Sequence, residues 1–115
     1  MIAANEHPRE AERNQCIRLL GLHQHGAGNE FHDVLTLLSE SLGDVVCLFT
    51  TVYENVTLFH GIVGAEGKSV ARADSFCAHA IVSEEEIFEV IDAQIDDRFA
   101  GNVHEVASYA GFVVK

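Results

Sequence analysis

The chain has 115 residues, 48% of them hydrophobic, and it carries 7 Lys and Arg against 18 Asp and Glu, a formal net charge of −11. This length predicts a single domain, residues 1–115, with one hydrophobic core. So acidic a surface repels phosphate backbones and anionic lipid headgroups, which argues against nucleic acid and membranes as partners. No apolar segment of signal-peptide type opens the sequence, and its three cysteines form no CxxC pair, so free thiols and a cytoplasmic location are expected.

Two helices are predicted in the first third of the chain. The first covers residues 8–20, because Pro8 suits a first helical turn and Gly21 ends the segment. A glycine-rich loop follows, and Asn29 is a suitable N-cap for a second helix that ends at Gly43. The apolar positions of this second helix recur at helical spacing and form one stripe, which consists of Phe31, Val34, Leu35, Leu38 and Leu42.

A β-hairpin is predicted after the second helix. Residues 45–52 (VVCLFTTV) form a β-branched and aromatic run that is too short for a buried helix, so they predict a strand. The residues YEN supply a turn, residues 56–63 predict the return strand, and the glycine-rich GAEGKS predicts a loop after it.

The remainder of the chain predicts two more strands among irregular segments. Residues 86–92 and 108–115 are the strands, and DDRFAGN between them predicts a short turn or helix. Residues 74–82 fit one helical turn with three apolar residues facing inward, namely Phe76, Ala80 and Ile81. The order of elements predicts an α+β fold, with helices on one face of an antiparallel sheet.

Cys77 and His79 are the first candidate for catalysis, as a thiol nucleophile and its general base. At positions i and i+2 the two side chains point about 200° apart on a helix, and on a strand they lie about 7 Å apart at the backbone. Neither arrangement gives the hydrogen-bonded pair that nucleophilic catalysis requires. The flanking residues are apolar, so the sequence favours a structural role for the thiol.

A metal site is the second candidate. It would require His23 and His25, in the glycine-rich loop, to meet Cys77 and His79. An H-x-H spacing arises easily by chance in a chain with seven histidines. Surface loop histidines are therefore the favoured interpretation, and no metal ligand is predicted.

Paired carboxylates are the third candidate, because Asp92, Asp96 and Asp97 could supply a general acid and base. The sequence Asp96-Asp97-Arg98 also fits the start of a helical turn, where acidic side chains accept bonds from exposed backbone N–H groups. We favour this second role, in which Asp92 and Asp96 hold an irregular segment in place. No catalytic residue is predicted.

Four short motifs, in order and at matching spacing, resemble the GAF domain family and in particular its bacterial sensor subgroup. They are Phe76-Cys77-Ala78-His79-Ala80-Ile81, Val90-x-Asp92-Ala93, Asp96-x-Arg98-Phe99-Ala100-x-Asn102-x-x-x-Val106 and Tyr109-Ala110-Gly111. The resemblance covers about residues 13–115, and Val103 stands where the family has proline. It implies a central antiparallel sheet with helices on one face and a ligand cavity on the other. The sequence stops before the last strand and C-terminal helix of that fold.

The resemblance implies a non-catalytic sensory or regulatory module that binds a small molecule, dimerises, or does both in signal transduction. It names no particular ligand or cofactor. The residues it implies for the ligand pocket are Phe49, Phe59, Phe76, Cys77, His79, Ile81, Phe99 and Tyr109. A pure protein–protein interaction module without a pocket is the alternative. A cysteine-dependent redox enzyme is a distant third, because the family's methionine sulfoxide reductases need a cysteine set that this chain does not match.

The sheet order of the family also implies an oligomeric state. The absent strand would lie between the strands at 45–52 and 108–115, which would leave two apolar edges with unpaired backbone groups. Proteins seldom leave such edges open. Either the two strands pair directly, or a second copy of the chain supplies the pairing, and we expect the homodimer.

Overall fold

The computed structural model describes residues 1–24, 31–102 and 106–113. The predictions that rest on His25, Asn29 and Val103, and on the last two residues of the final strand, therefore lie outside the described ranges. The elements in chain order are helices α1 (Glu10–Leu19) and α2 (His32–Ser41), strands β1 (Cys47–Tyr53), β2 (Val56–Val63) and β3 (Ser69–Ala71), a 3-10 turn (Arg72–Asp74), helix α3 (Phe76–Ala80), and strands β4 (Ile87–Val90) and β5 (Tyr109–Phe112). The α+β class with antiparallel pairing is confirmed.

The strands form two sheets. β1, β2 and β3 make a three-stranded antiparallel sheet in that order, and β4 pairs with β5 in a second, two-stranded sheet. The strand β3 was not predicted. The single central sheet that the resemblance implies is thus divided between β1 and β5, because no strand of the described ranges lies between them. Direct pairing of β1 with β5, the first of the two expected rearrangements, is absent from these ranges.

The β1–β2 hairpin has the predicted boundaries to within two residues. Its turn connects the paired residues Tyr53 and Val56, and within this turn Glu54 adopts the left-handed conformation with φ of 50°. A bulge between Phe49 and Thr50 shifts the register of the pairing halfway along β1. Bulges of this kind bend a strand and increase its twist.

Helix α1 is attached to the first sheet chiefly by charge. The Glu10 carboxylate, with a side chain only 12% exposed, forms ion pairs with Arg13 and with Arg72. Arg13 also donates to the carbonyl of Val52, and Arg72 donates to the carbonyl of Glu54. The hydrogen bond from Arg72, assisted by Arg13, lowers the pKa of Glu10 from 4.5 to about 2 against the opposing effect of burial.

Helix α2 buries less of its apolar stripe than the spacing indicates. Leu35 is buried, whereas Val34, Leu38 and Leu42 are 46–67% exposed. The helix meets the hairpin closely at one point, since a Cβ on Gly61 would lie 2.7 Å from a Leu35 methyl carbon. In the described ranges no helix combines the length and apolar character that crossing a membrane requires.

The second sheet packs on α3 around one apolar core. Positions i and i+4 of a helix point to the same side, so α3 contributes Phe76 and Ala80 to this core. Alternate residues of a strand face the same side, so β4 contributes Phe88 and Val90. The core consists of Phe76, Ala80, Phe88, Val90, Ala93 and Phe99. Ile87 and Ile91 face solvent instead. Ser75 caps the N-terminus of α3, and its Oγ accepts the Ala78 N–H at 3.2 Å.

Replacing Glu10 by Gln should lower the free energy of unfolding by roughly 1–3 kcal/mol at pH 7, because two partly buried arginines lose their anion. The folded-state pKa lies below the unfolded value, so this stabilisation is complete above about pH 4.5 and is lost as the pH falls towards 2. Urea unfolding at pH 7 and pH 3 measures the difference, which should shrink at pH 3.

The matched control is Glu12→Gln, which removes a carboxylate from an exposed pair with Arg9 on the same helix. It should cost less than about 0.5 kcal/mol. Equal losses for the two substitutions would contradict the anchoring role of Glu10.

Candidate functional site

Five rings meet where α3, β4, β5 and the turn at 96–101 come together. We call Phe76, His79, Phe88, Phe99 and Tyr109 the aromatic cluster. Phe76 and Phe99 stack with centroids 4.4 Å apart, and Tyr109 lies 5.4 Å from Phe76. His79 meets Phe99 edge-on at 4.6 Å, and Phe88 does so at 6.1 Å. Phe99 is fully buried, so the cluster is a closed packing arrangement.

The sulfur of Cys77 accepts hydrogen bonds from two hydroxyl groups, one from each sheet. The Oγ1 of Thr50 in β1 lies 3.3 Å from the Cys77 Sγ, and the hydroxyl of Tyr109 in β5 lies 3.4 Å from it. Burial, together with the neighbouring thiol, raises the pKa of Tyr109 well above its usual range, so this phenol stays a donor at neutral pH. The thiol thus joins β1 and β5 through α3.

The His79 ring has a different hydrogen-bond partner from that thiol. Its Nε2 lies 2.8 Å from the carbonyl oxygen of Ile2. A carbonyl only accepts, so Nε2 carries the proton in this bond. Burial lowers the pKa of His79 below its usual 6.5, which favours the neutral ring. Cys77 and His79 are therefore engaged with separate partners.

The acidic residues hold turns, as predicted for Asp92 and Asp96. Asp92 Oδ1 accepts the Gln94 N–H at 3.0 Å, and Asp96 Oδ1 accepts the Arg98 N–H at 3.0 Å. Arg98 also pairs with Asp96 Oδ2 at 2.8 Å, and these hydrogen bonds lower the pKa of Asp96 to about 2. The guanidinium lies over the rings of Phe88 and Phe99, with its carbon 5.3 and 5.1 Å from their centroids.

Asn102 closes the loop that follows, a role that the sequence analysis did not assign. Its Nδ2 donates to the carbonyls of Phe99 and Val106 at 3.2 and 3.0 Å, and its Oδ1 accepts the Val106 N–H at 2.7 Å. All the polar atoms of this buried amide side chain are used. Its place in one of the four quoted motifs was the available signal.

The structure brings together five of the eight residues predicted for the pocket: Phe76, Cys77, His79, Phe99 and Tyr109. Phe49 belongs to a different group, because it stacks on Phe31 with centroids 4.4 Å apart. Phe59 borders Gly67, and Ile81 caps the end of α3. Within the described ranges, no three His, Cys, Asp or Glu side chains are grouped so that they could hold a metal ion.

An open cleft of about 210 Å³ lies beside the aromatic cluster and shares His79 and Phe88 with it. Its lining consists of His79, Val82, Ser83, Glu85, Phe88, Glu89 and Arg98. The volume is below the range of about 300–1,000 Å³ that suits drug-sized ligands. This cleft was not predicted from the sequence, although His79 was a pocket candidate and Arg98 lies in one of the GAF-like motifs.

The chain is similar in sequence to part of a signalling protein. No family model matches the chain. The chain is 31% identical over 112 residues to cyclic di-GMP phosphodiesterase PA2567 of Pseudomonas aeruginosa. The match covers 93% of this chain and 18% of that protein. The chain therefore corresponds to one part of a much longer relative.

Replacing Cys77 by Ala should lower the free energy of unfolding by about 1–2 kcal/mol, because two hydroxyl donors lose their acceptor and a small cavity forms. Cys77→Ser should cost less than Cys77→Ala, since a hydroxyl still accepts. Urea unfolding measures both, with Cys16→Ser, at an exposed cysteine, as the control. Loss of a measurable activity from folded Cys77→Ala protein would contradict a structural role.

Asp96→Ala should lower the melting temperature at pH 7, because the turn loses an acceptor for the Arg98 N–H and the partner of its guanidinium. The folded-state pKa is about 2, so this difference should fade as the pH approaches that value. The neighbouring Asp97→Ala is the matched control. An unchanged melting temperature for Asp96→Ala would refute the turn-holding role.

Proposed function

We propose that the chain is a GAF-type sensory or regulatory module of a cyclic di-GMP signalling system, with no catalysis of its own. The observation that carries this proposal is the similarity to cyclic di-GMP phosphodiesterase PA2567 along 93% of the chain. The four GAF-like motifs support it, because they supply most of the aromatic cluster and the turns around it. The phosphodiesterase activity of the relative is not part of the proposal, since the match spans 18% of that protein.

The contacts of the reactive side chains favour a non-catalytic role. The thiol of Cys77 accepts from Thr50 and Tyr109, and the imidazole of His79 donates to the backbone of Ile2. A nucleophile and its base would need a hydrogen bond to each other. Asp96 is likewise engaged by Arg98. Each group thus has a structural partner in place of a catalytic one.

The aromatic cluster and the cleft beside it are the proposed place for a small-molecule ligand. Stacked rings bind flat apolar groups well, and Arg98 and His79 at the edge could orient a polar substituent. The cleft of about 210 Å³ would admit a small molecule or one end of a larger one. Of the residues predicted for the pocket, His79 lines the cleft. Phe76, Phe99 and Tyr109 belong to the cluster beside it, and Cys77 contacts Tyr109.

Homodimerisation is the second part of the proposal. Several apolar residues of α2, of the segment after it and of β1 are 38–67% exposed. We call them the α2 face: Val34, Leu37, Leu38, Leu42, Val45, Val46 and Leu48. Within the described ranges β1 and β5 are also edge strands of their sheets. A second copy would cover both kinds of surface. The charge of −11 opposes association, but salt screens it beyond about 8 Å under physiological conditions.

A pure interaction module is the competing proposal. The observation that favours it is the closed state of the aromatic cluster, in which Phe99 is fully buried and the rings leave one another little space. In that case the exposed α2 face would carry the function, and no ligand would bind.

Native mass spectrometry of protein purified from its own host tests these proposals together. We expect a species of twice the 12.6 kDa chain mass with an additional bound small molecule. Leu37→Lys should convert the dimer to a monomer, because it places a charge in the α2 face. Ile95→Lys, which adds the same charge at a residue 78% exposed outside that face, should remain dimeric.

Each part of the proposal has its own contrary result. A wild-type monomer of 12.6 kDa at micromolar concentration would refute the dimer. A dimer without any bound molecule would favour the interaction module over the ligand-binding one.

A further inference from the structure

The open cleft of about 210 Å³ is built around the segment that connects α3 to β4, with further residues from both elements and from the turn at 96–101. Hydrogen bonds within the segment hold it in place. The Ser83 N–H donates to the Ala80 carbonyl at 3.2 Å, and the Ser83 Oγ accepts the Glu85 N–H at 3.1 Å. Ser83 thus ties the segment to the end of α3 and positions the backbone that carries Glu85.

The charges around the cleft do not balance. Glu85 and Glu89 line it, and Asp96 adjoins it through an ion pair with the lining residue Arg98. Burial lowers the pKa of His79, which keeps that ring uncharged at neutral pH. Three carboxylates are therefore compensated by one guanidinium. Two negative charges remain at the cleft.

The guanidinium of Arg98 is already engaged by Asp96. Its Nε donates to Asp96 Oδ1 at 3.0 Å and its Nη2 donates to Oδ2 at 2.8 Å. This two-pronged geometry is the one in which arginine binds carboxylates most strongly. A carboxylate or phosphate of a ligand would have to compete with Asp96 for the same fork of donors. The cleft therefore disfavours anions.

The carboxylates of Glu85 and Glu89 are open to a ligand. Both residues are exposed, and neither forms an ion pair within the part of the chain that the structure describes. The same cleft is lined by the buried Phe88 and the half-buried Val82. The lining thus combines two unpaired carboxylates with an apolar wall.

The volume of the cleft restricts the ligand to a compact molecule. At about 30 Å³ per water molecule in the liquid, its 210 Å³ would hold about seven waters. A short unbranched diamine has about this size, and at neutral pH its two ammonium groups are joined by an apolar stem. Ammonium groups only donate hydrogen bonds, and carboxylates only accept them. Such a dication matches the lining in both charge and polarity.

We propose that the open cleft binds a short aliphatic diamine, whose two ammonium groups pair with Glu85 and Glu89 and whose stem lies against Phe88. This inference rests on the ligand-binding role proposed above for the cleft, and it names the class of ligand. The net charge of −11 supports it, because such a surface attracts a dication and repels a nucleotide phosphate.

The probe is putrescine, and two molecules with the same carbon chain serve as comparisons. Butylamine has a single ammonium group, and γ-aminobutyrate has a carboxylate in place of the second ammonium. NMR titration in about 0.15 M salt, which screens distant surface charges, follows the backbone amide of each residue. We expect putrescine to shift the amides of Glu85, Phe88 and Glu89. It should bind about threefold more tightly than butylamine, the effect of one exposed ion pair, and γ-aminobutyrate should leave these amides unchanged.

Glu85→Gln and Glu89→Gln should each weaken putrescine binding about threefold, because each removes one ion pair. The matched controls are Glu84→Gln and Glu86→Gln, which remove the same charge from exposed neighbours outside the lining of the cleft. These controls should bind putrescine as the wild type does. Circular dichroism establishes that each variant is folded, and the comparison of the three small molecules on the wild type decides the question if one is not.

Equal weakening by all four substitutions would overturn the inference, because it describes a diffuse counter-ion in place of a bound ligand. Equal binding of putrescine and either comparison molecule would overturn it as well. A host molecule in the native mass spectrum, with no effect of putrescine on the cleft, would retain the proposed function and remove the diamine. Selective putrescine binding without a co-purifying host molecule would retain the diamine site and contradict the bound ligand expected for the sensory role.

Discussion

The second half of the molecule depends on the stacking of Phe99 on Phe76. A two-stranded sheet is at best marginally stable alone, and α3 has five residues, too few for an isolated helix. The Phe99 ring is fully buried and contacts rings from α3 and β4, while the turn that carries it is tied by Asp96, Arg98 and Asn102. We expect these short elements to lose their structure if that ring is removed.

The division of the strands into two sheets gives special weight to the few links between them. Thr50 and Tyr109 approach the same sulfur from opposite sheets. Thr57 in β2 donates to Ser75, the residue that caps α3, at 2.8 Å. Residues 1–19 add a further link, because Met1 packs on the second sheet's core and α1 lies on the first sheet. A molecule bound at the cluster would therefore press on contacts that both sheets share.

Local patterns in the sequence predicted the secondary-structure elements well, but they did not predict which elements and side chains pack against one another. The hairpin, the helices and the turn-holding role of Asp92 and Asp96 follow from short stretches of residues that determine their own geometry. The periodic stripe of α2 correctly indicated a helix, but periodicity does not reveal how much of a face finds a partner. Phe49 was grouped with Phe76 by its aromatic character, whereas it stacks on Phe31. Residues 1–2 gave no signal at all, because backbone hydrogen bonds are independent of side-chain identity.

The link between Glu10 and Arg72 has a consequence for how the chain acquires its structure. These partners are 62 residues apart in sequence, and closing so long a segment costs entropy that only the finished contact offsets. During synthesis the helix leaves the ribosome first, yet its main attachment does not exist until the 3-10 turn has followed it. Until then α1 can contact the first sheet through Arg13, which donates to the carbonyl of Val52, and through one buried apolar residue, but the Glu10 carboxylate lacks its second arginine.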